Sequence, residues 1–208
     1  LRRANQKGCH TLAVTNIADS RAAKEAEYSL LVNTPPFPEP GPGLRNYFAS
    51  ISALFLLAAR MGVVKGYCSV DRETELCKAI SDYVNAYKKD FDCMDKQMFE
   101  VAMQWKDDIG NEMVGDGPMY ATAAFIGAKF VEAAGKMTNV TDSENWCHVN
   151  YFRHAPEASG LVLVANDEDR NHSRVIETLR QASMIGRNCL LITDTDGESY
   201  GVPEGVSV

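Results

Sequence analysis

Two ionisable side chains follow a glycine-rich turn in the second half of the chain, where they could perform acid–base chemistry. Residues 115–132 read GDGPMYATAAFIGAKFVE. A strand that runs into Gly-x-Gly at a helix start points free N–H groups at an anion, although the pattern also serves as an ordinary turn. On the predicted helix, Lys129 and Glu132 share one face because they are three residues apart. A surface ion pair is the simpler interpretation, and a pair that lines a cleft is the other.

A histidine downstream could carry a proton. Glu144 and His148 are four residues apart, a spacing that can hold a metal on one helix face. No third ligand lies nearby, and His154 is too far along the chain to complete a motif, so we predict no metal. His148 fits better as a proton carrier with Glu132 as its partner, since an imidazole and a carboxylate can both be tuned to work near neutral pH.

The elements of the first part predict parallel α/β winding. An apolar strand over residues 9–15 is followed by a short helix capped near Ser20, and then by a second strand over 28–32. Residues 33–43 contain five of the eight prolines, which excludes a central strand or helix and predicts a stiff loop. Residues 44–60 then predict a long and largely buried helix, because their apolar side chains recur at helical spacing.

A second α/β pattern follows a helical arm. Residues 71–107 predict two helices that break near 90–92 and connect two similar halves. Beyond this arm the pattern predicts strands near 113–114, 161–165 and 189–193, with helices over 117–135, up to 148 and up to 183. We read residues 138–144 as a polar stretch without a strand.

Composition excludes several classes of protein. The 208 residues correspond to roughly 1.4 domains of ordinary size. A net charge of −7 without a basic cluster argues against nucleic-acid binding. The longest apolar run, over residues 53–59, is far short of the roughly 20 residues that cross a bilayer, so we predict no membrane partner. Six cysteines without a Cys-x-x-Cys pair are typical of free thiols in a reduced cytoplasm.

The central motif resembles the family of double SIS (sugar isomerase) domains, which includes the isomerase half of glucosamine-6-phosphate synthases. The following residues match that family's helix without a gap: Gly115, Gly117, Tyr120, Lys129 and Glu132. Continuing without a gap brings the family's ring-opening histidine onto His148. Residues 1–32 are similar to the segment after the family's phosphate-binding Ser/Thr loop, and residues 44–60 to its long apolar helix.

The sequence also departs from the synthases. Residues 125–128 read Phe-Ile-Gly-Ala where that helix usually has Leu-Glu-Gly, and Arg45 stands where the synthase has Lys. A proline-rich loop replaces the synthase loop, and the sequence contains no glutaminase domain. These differences favour the related phosphosugar isomerases and fructosamine-6-phosphate deglycases.

The resemblance implies an α/β fold of two three-layer α/β/α SIS halves with parallel sheets, both incomplete. We expect residues 1–66 to form the end of a first SIS domain, 67–108 a helical connector, and 109–208 a second SIS domain without its C-terminal end. The phosphate-binding loop is expected to lie before residue 1.

The resemblance further implies an isomerase or deglycase that acts on a ketose 6-phosphate or a fructosamine 6-phosphate. His148 would open the sugar ring, and Glu132 would move a proton between C1 and C2. Lys129 would orient Glu132 or balance the developing negative charge. The expected substrate-binding residues are Gly43, Arg45, Gly117 and Glu144. We expect no cofactor, a homodimer and a cytoplasmic location. The alternatives are a non-catalytic phosphosugar-binding module and an isomerase-domain fragment of a glutamine–fructose-6-phosphate aminotransferase.

Overall fold

The chain forms two compact units, Leu1–Phe91 and Asp92–Val208. A computed structural model describes residues 1–36 and 41–208. The domain boundaries expected at residues 66 and 108 stay a prediction.

The first unit begins with the predicted parallel α/β pattern. Its first four elements are α1 (Arg2–Gln6), β1 (Leu12–Thr15), α2 (Arg21–Glu25) and β2 (Tyr28–Leu31). β1 and β2 pair in parallel, with Leu12 opposite Tyr28. The predicted cap of α2 is confirmed, because the Ser20 hydroxyl accepts a hydrogen bond from the amide of Ala23 at 3.2 Å.

Two long helices complete the first unit, and one of them differs from its prediction. α3 (Leu44–Val64) packs alongside α4 (Val70–Tyr87). The prediction that α3 is largely buried was wrong. Of its 21 residues, all of which the structure describes, only Ala59 is buried. Phe48 is 49% exposed and Phe55 is 65% exposed, and both line an apolar cavity that α3 forms with α4. Within the described part of the chain, α3 is also the helix that is long and apolar enough to cross a membrane, a criterion that core helices of soluble proteins meet as well.

The proline-rich loop predicted over residues 33–43 falls partly outside the described residues, which exclude 37–40. Residues 32–36 and 41–43 form neither helix nor strand, in agreement with the prediction.

The second unit is a four-stranded parallel sheet covered by helices. Its elements are α5 (Phe91–Gln104), which begins one residue before the unit, β3 (Gly110–Gly115), α6 (Gly117–Ala134), β4 (Thr138–Thr141), α7 (Ser143–His148), β5 (Ser159–Val164), α8 (His172–Met184) and β6 (Asn188–Ile192). The strands lie in the order β4-β3-β5-β6, and every neighbouring pair is parallel. The predicted α/β class with parallel sheets is therefore confirmed.

One strand of this sheet was missed by the sequence analysis. Residues of β4 pair with β3 although the segment was read as a polar stretch. The strand lies at the edge of the sheet and its four residues, Thr-Asn-Val-Thr, are partly exposed. An edge strand of this kind has too few buried apolar residues to be distinguished from a loop.

The sheet separates two apolar layers. On one face, residues such as Met113 and Val162 pack against α5 and α6. On the other face, Val114 and Leu163 pack against α7 and α8. Side chains of successive strand residues alternate between the faces, as the pleat requires, so the second unit is a three-layer α/β/α sandwich.

Gly160 marks the tightest packing in this sandwich, and we expect its replacement to destabilise the second unit. A Cβ atom at Gly160 would meet the Trp105 ring and lie 2.6 Å from Asn111 Oδ1. We predict that Gly160→Ala lowers the free energy of unfolding by about 1–3 kcal/mol, because a well-packed core cannot absorb the extra volume.

Urea unfolding followed by tryptophan fluorescence measures this effect, since both tryptophans, Trp105 and Trp146, are buried in the second unit. Met184→Ala is the control, because Met184 is 85% exposed in the same unit and surface changes alter stability by less than about 0.5 kcal/mol. Equal unfolding midpoints for the two variants would contradict the packing argument.

Candidate functional site

The predicted glycine turn lies at the switch point of the sheet. The chain leaves β3 towards β4 on one side and later returns to β5 on the other, so the switch point lies between the carboxyl ends of β3 and β5. Gly117 begins α6 there with a φ of 48°, a left-handed conformation that favours glycine. A cavity of about 450 Å³ opens at this edge, and its lining includes Gly117, Asn166, Glu168, Asp169 and Arg170.

Asp116 joins the two helices that start at this edge. Its side chain is buried and accepts hydrogen bonds from Ser143, from the amide at 3.1 Å and from the hydroxyl at 2.5 Å. Ser143 is the first residue of α7, and Asp116 is the cap of α6. A buried carboxylate thereby fixes the start of α7 against the carboxyl end of β3. Asp116 was not among the predicted site residues, although its place inside Gly-Asp-Gly was a usable signal.

Lys129 and Glu132 form the ion pair that the sequence left open. Lys129 Nζ donates to Glu132 Oε2 at 2.5 Å, with the lysine side chain 20% exposed and the carboxylate 50% exposed. The ammonium group also lies 5.1 Å from the centre of the Phe125 ring. Lysine is thus the more sheltered partner, and half of the glutamate surface is accessible to a ligand.

This pair lies away from the glycine turn. Lys129 and Glu132 follow Gly117 by 12 and 15 residues on the same helix, which corresponds to about 18 and 22 Å along the axis. The predicted binding residue Gly117 and the predicted catalytic pair are therefore at opposite ends of α6.

His148 is the last residue of α7 and pairs with a different carboxylate from the predicted one. Its Nε2 lies 2.9 Å from Glu144 Oε1, and the other oxygen of Glu144 lies 2.6 Å from Arg174 Nε. The imidazole is 68% exposed. Glu144 thus contacts both the imidazole of His148 and an arginine of α8, and its predicted role in substrate binding stays a prediction.

The sheet separates Glu132 from His148 within one chain. α6 packs on one face of the sheet and α7 on the other. No hydrogen bond or ion pair joins the two side chains in the part of the chain that the structure describes. The sequence predicted them as partners, and the structure of a single chain does not bring them together.

The remaining predicted residues lie in the first unit. Gly43 is the cap of α3, and Arg45 is in its first turn. Arg45 Nη1 donates to the carbonyl of Pro36 at 3.3 Å, so this arginine contacts the described part of the proline-rich segment.

The cysteine beside His148 is not an activated nucleophile. Burial raises the pKa of the Cys147 thiol, and its sulfur lies 3.3 Å from the Thr178 hydroxyl. Burial likewise raises the pKa of Cys189 to about 12. Both thiols are therefore protonated at neutral pH.

No group of three or more His, Cys, Asp or Glu side chains that could hold a metal ion occurs in residues 1–36 and 41–208.

No family model matches the sequence, and no curated protein does. Solved structures do resemble the chain. The C-terminal domain of glucosamine-fructose-6-phosphate aminotransferase from Francisella tularensis has a TM-score of 0.86 at 14% identity, over 100% of this chain and 57% of that one. A protein from Clostridium difficile 630 described as a phosphosugar isomerase has a TM-score of 0.77 at 16% identity, over 95% of this chain and 59% of that one.

A third structure, glucosamine-6-phosphate deaminase from Thermotoga maritima, has a TM-score of 0.66 at 13% identity, over 99% of this chain and 58% of that one. The chain therefore spans less than two thirds of each of these structures. At such identities the matches show the fold, and they confirm the predicted α/β fold of SIS type. That the chain holds two SIS domains stays a prediction.

Loss of the link between Asp116 and Ser143 is expected to destabilise the second unit. Ser143→Ala removes the hydroxyl group that donates a hydrogen bond to Asp116 Oδ2. This buried carboxylate oxygen then has lost that donor. We predict a loss of about 1–3 kcal/mol in the free energy of unfolding, the usual penalty for an unsatisfied buried acceptor.

Ser173→Ala is the matched control, because Ser173 is exposed on α8 of the same unit. Urea unfolding read by tryptophan fluorescence compares the two. If Ser143→Ala is as stable as Ser173→Ala, the hydroxyl is not needed to hold Asp116.

Proposed function

We propose that this chain belongs to a phosphosugar-processing SIS enzyme that moves a proton between C1 and C2 of a ketose 6-phosphate or of its amino-acid adduct. The observation that carries the proposal is the Lys129–Glu132 pair, whose half-exposed carboxylate lies on a helix of a fold shared with proteins named for phosphosugar chemistry. The gapless match of these two residues to the SIS motif supports the same assignment. A phosphosugar is accordingly the proposed ligand.

Glu132 is the proposed proton carrier. In the isomerase reaction it takes a proton from C1 of the open-chain ketose and returns it to C2, while a proton passes from O1 to O2, so the products balance without a cofactor. In the deglycase reaction the same transfer gives an imine, which water hydrolyses to an aldose 6-phosphate and a free amine. His148 would move a proton to the ring oxygen to open the sugar.

Lys129 has two roles in this proposal. Its ammonium group holds the carboxylate of Glu132 at 2.5 Å, and it offsets the negative charge that develops on the enediolate oxygen. Its position over the Phe125 ring limits its freedom. Gly43 and Arg45, at the start of α3, stay proposed substrate-binding residues.

A shared site in a homodimer accounts for the distance between the acid–base groups. Because the sheet separates Glu132 from His148, we propose that each site takes Glu132 of one chain and His148 of a second chain. The exposed position of His148 at the end of α7 suits contact with another subunit. Twofold symmetry then produces two equal sites. We also propose that this homodimer is a soluble protein of the cytoplasm.

The same separation favours a second candidate, a phosphosugar-binding module without catalysis. A chain that never brings acid and base together would bind the ligand and leave it unchanged. Thermal stabilisation by fructose 6-phosphate with no product from either substrate class would support this candidate over the enzyme.

Replacing Glu132 is expected to separate chemistry from binding. In the full-length protein we predict that Glu132→Gln lowers kcat at least about 100-fold, because general acid–base groups contribute factors of this size. The dissociation constant for the phosphosugar should change by less than about threefold, since the amide keeps the shape of the side chain.

Product formation from fructose 6-phosphate and from a fructosamine 6-phosphate is measured, and titration calorimetry gives the affinity. Glu157→Gln serves as the control, because Glu157 is exposed in the same unit. An equal loss of binding and turnover in Glu132→Gln would remove the proton-carrier role.

Mixing two inactive variants tests the shared site. We predict that Glu132→Gln and His148→Ala are each inactive, and that after co-refolding the mixture regains about a quarter of wild-type activity. Half of the dimers are then mixed, and each mixed dimer holds one site with both native groups. Activity that stays at the level of the separate variants would contradict a site shared between chains.

A further inference from the structure

The middle strand β3 carries a charged side chain where the fold calls for an apolar one. Glu112 is fully buried on the face of the sheet that packs against α7 and α8. The side chain of Arg187, the residue before β6, is also fully buried. The nearest oxygen of Glu112 lies 3.4 Å from Arg187 Nη1. A buried ion pair is weak as a source of stability, because desolvation offsets the attraction between the charges.

Both oxygens of Glu112 bind the segment that carries His148. Trp146 Nε1 donates to Oε2 at 2.7 Å, and Asn150 Nδ2 donates to Oε1 at 3.0 Å. These two donors lie two residues before and two residues after His148. Each carboxylate oxygen thus fixes one side of the histidine.

Two arginines add further contacts between the Glu112 region and the segment that carries His148. Arg187 Nη2 donates to the carbonyl of Asn150 at 3.0 Å, and its guanidinium lies 5.6 Å from the centre of the Trp146 ring. Arg153 Nη1 lies 3.4 Å from Glu112 Oε1. The charged cluster therefore contacts the 146–153 segment at the indole, the amide side chain, one backbone carbonyl and a second arginine.

The imidazole itself has little packing to hold it. It is 68% exposed, and its partner Glu144 is 55% exposed. Apart from this pair with Glu144, the position of His148 depends on the segment that carries it, and Glu112 holds that segment through the side chains of Trp146 and Asn150.

We infer that Glu112 is a positioning residue for His148, acting through Trp146 and Asn150. It touches neither substrate nor the reacting atoms. The catalytic part of this inference rests on the proposed function, whereas the placement of the imidazole does not. A positioned imidazole favours turnover over binding, since small displacements of a catalytic group lower the rate of the chemical step.

Two substitutions test the inference. Glu112→Gln keeps the shape and removes the charge, and Trp146→Phe keeps a ring and removes the donor should the first variant fail to fold. Val101→Ala is the control, because Val101 is buried on α5, a helix that carries none of the proposed catalytic groups. We expect either test variant to lower kcat about tenfold with KM within twofold of wild type, and the control to leave both unchanged.

Proton–carbon NMR of the four histidines supplies a readout without substrate. In the test variants the His148 signal should move towards that of a free histidine, while the signals of His10, His154 and His172 stay in place. An unmoved His148 signal in a folded test variant overturns the inference, as does wild-type kcat in that variant. A wild-type protein without turnover contradicts the proposed function, and the NMR result still decides whether Glu112 positions His148.

Discussion

The need to cover a parallel sheet on both faces determines where the reactive groups of this chain lie. Parallel strands are joined by crossovers that place helices on the two faces, because each face is apolar and must be buried. α6 follows β3 onto one face, and α7 follows β4 onto the other. Glu132 and His148 are only 16 residues apart in sequence, yet a layer of the sheet lies between them. Any chemistry that needs both groups must therefore extend beyond one copy of the second unit.

Buried carboxylates tie α7 to this sheet at two levels. Asp116 binds the first residue of the helix at the carboxyl edge, and Glu112 binds the indole of Trp146 and the side chain of Asn150 deeper in the layer. A helix of six residues has little surface with which to fix its own orientation. Hydrogen bonds to the buried carboxylates fix the orientation of α7, which packing alone does not. These hydrogen bonds are strong because their surroundings exclude water.

Pattern and motif predicted more of the fold than of the site. Apolar runs and glycine turns were sufficient to predict β1, β2, β5, β6 and the long helices, because each repeats a recognisable period over enough residues. β4 was missed because an edge strand of polar β-branched residues has no such period. The burial of α3 was overestimated because amphipathic spacing says that a face is apolar and does not say what covers it. The ion pair of Lys129 with Glu132 follows from their spacing on one helix. The partners of His148 depend on the face of the sheet onto which the chain passes after β4, and the sequence did not predict that strand. Glu112 gave no signal, since one acidic residue in a short strand does not disturb the pattern around it.

Electrostatics places a further condition on the proposed site. The chain carries a net charge of −7, which repels a phosphosugar at long range, so binding must depend on local cations. Lys129 is committed to Glu132, and Arg174 lies within 2.6 Å of both Glu144 and Glu177. The cavity at the switch point contains Arg170 beside Glu168 and Asp169, a mixed lining that suits a dianion poorly. In the proposed enzyme, these parts of the second unit would supply acid–base groups with balanced charge rather than an anchor for phosphate. The phosphate anchor of the proposed enzyme is accordingly expected outside this unit, and binding energy from that remote group would then be used to hold the sugar against Glu132.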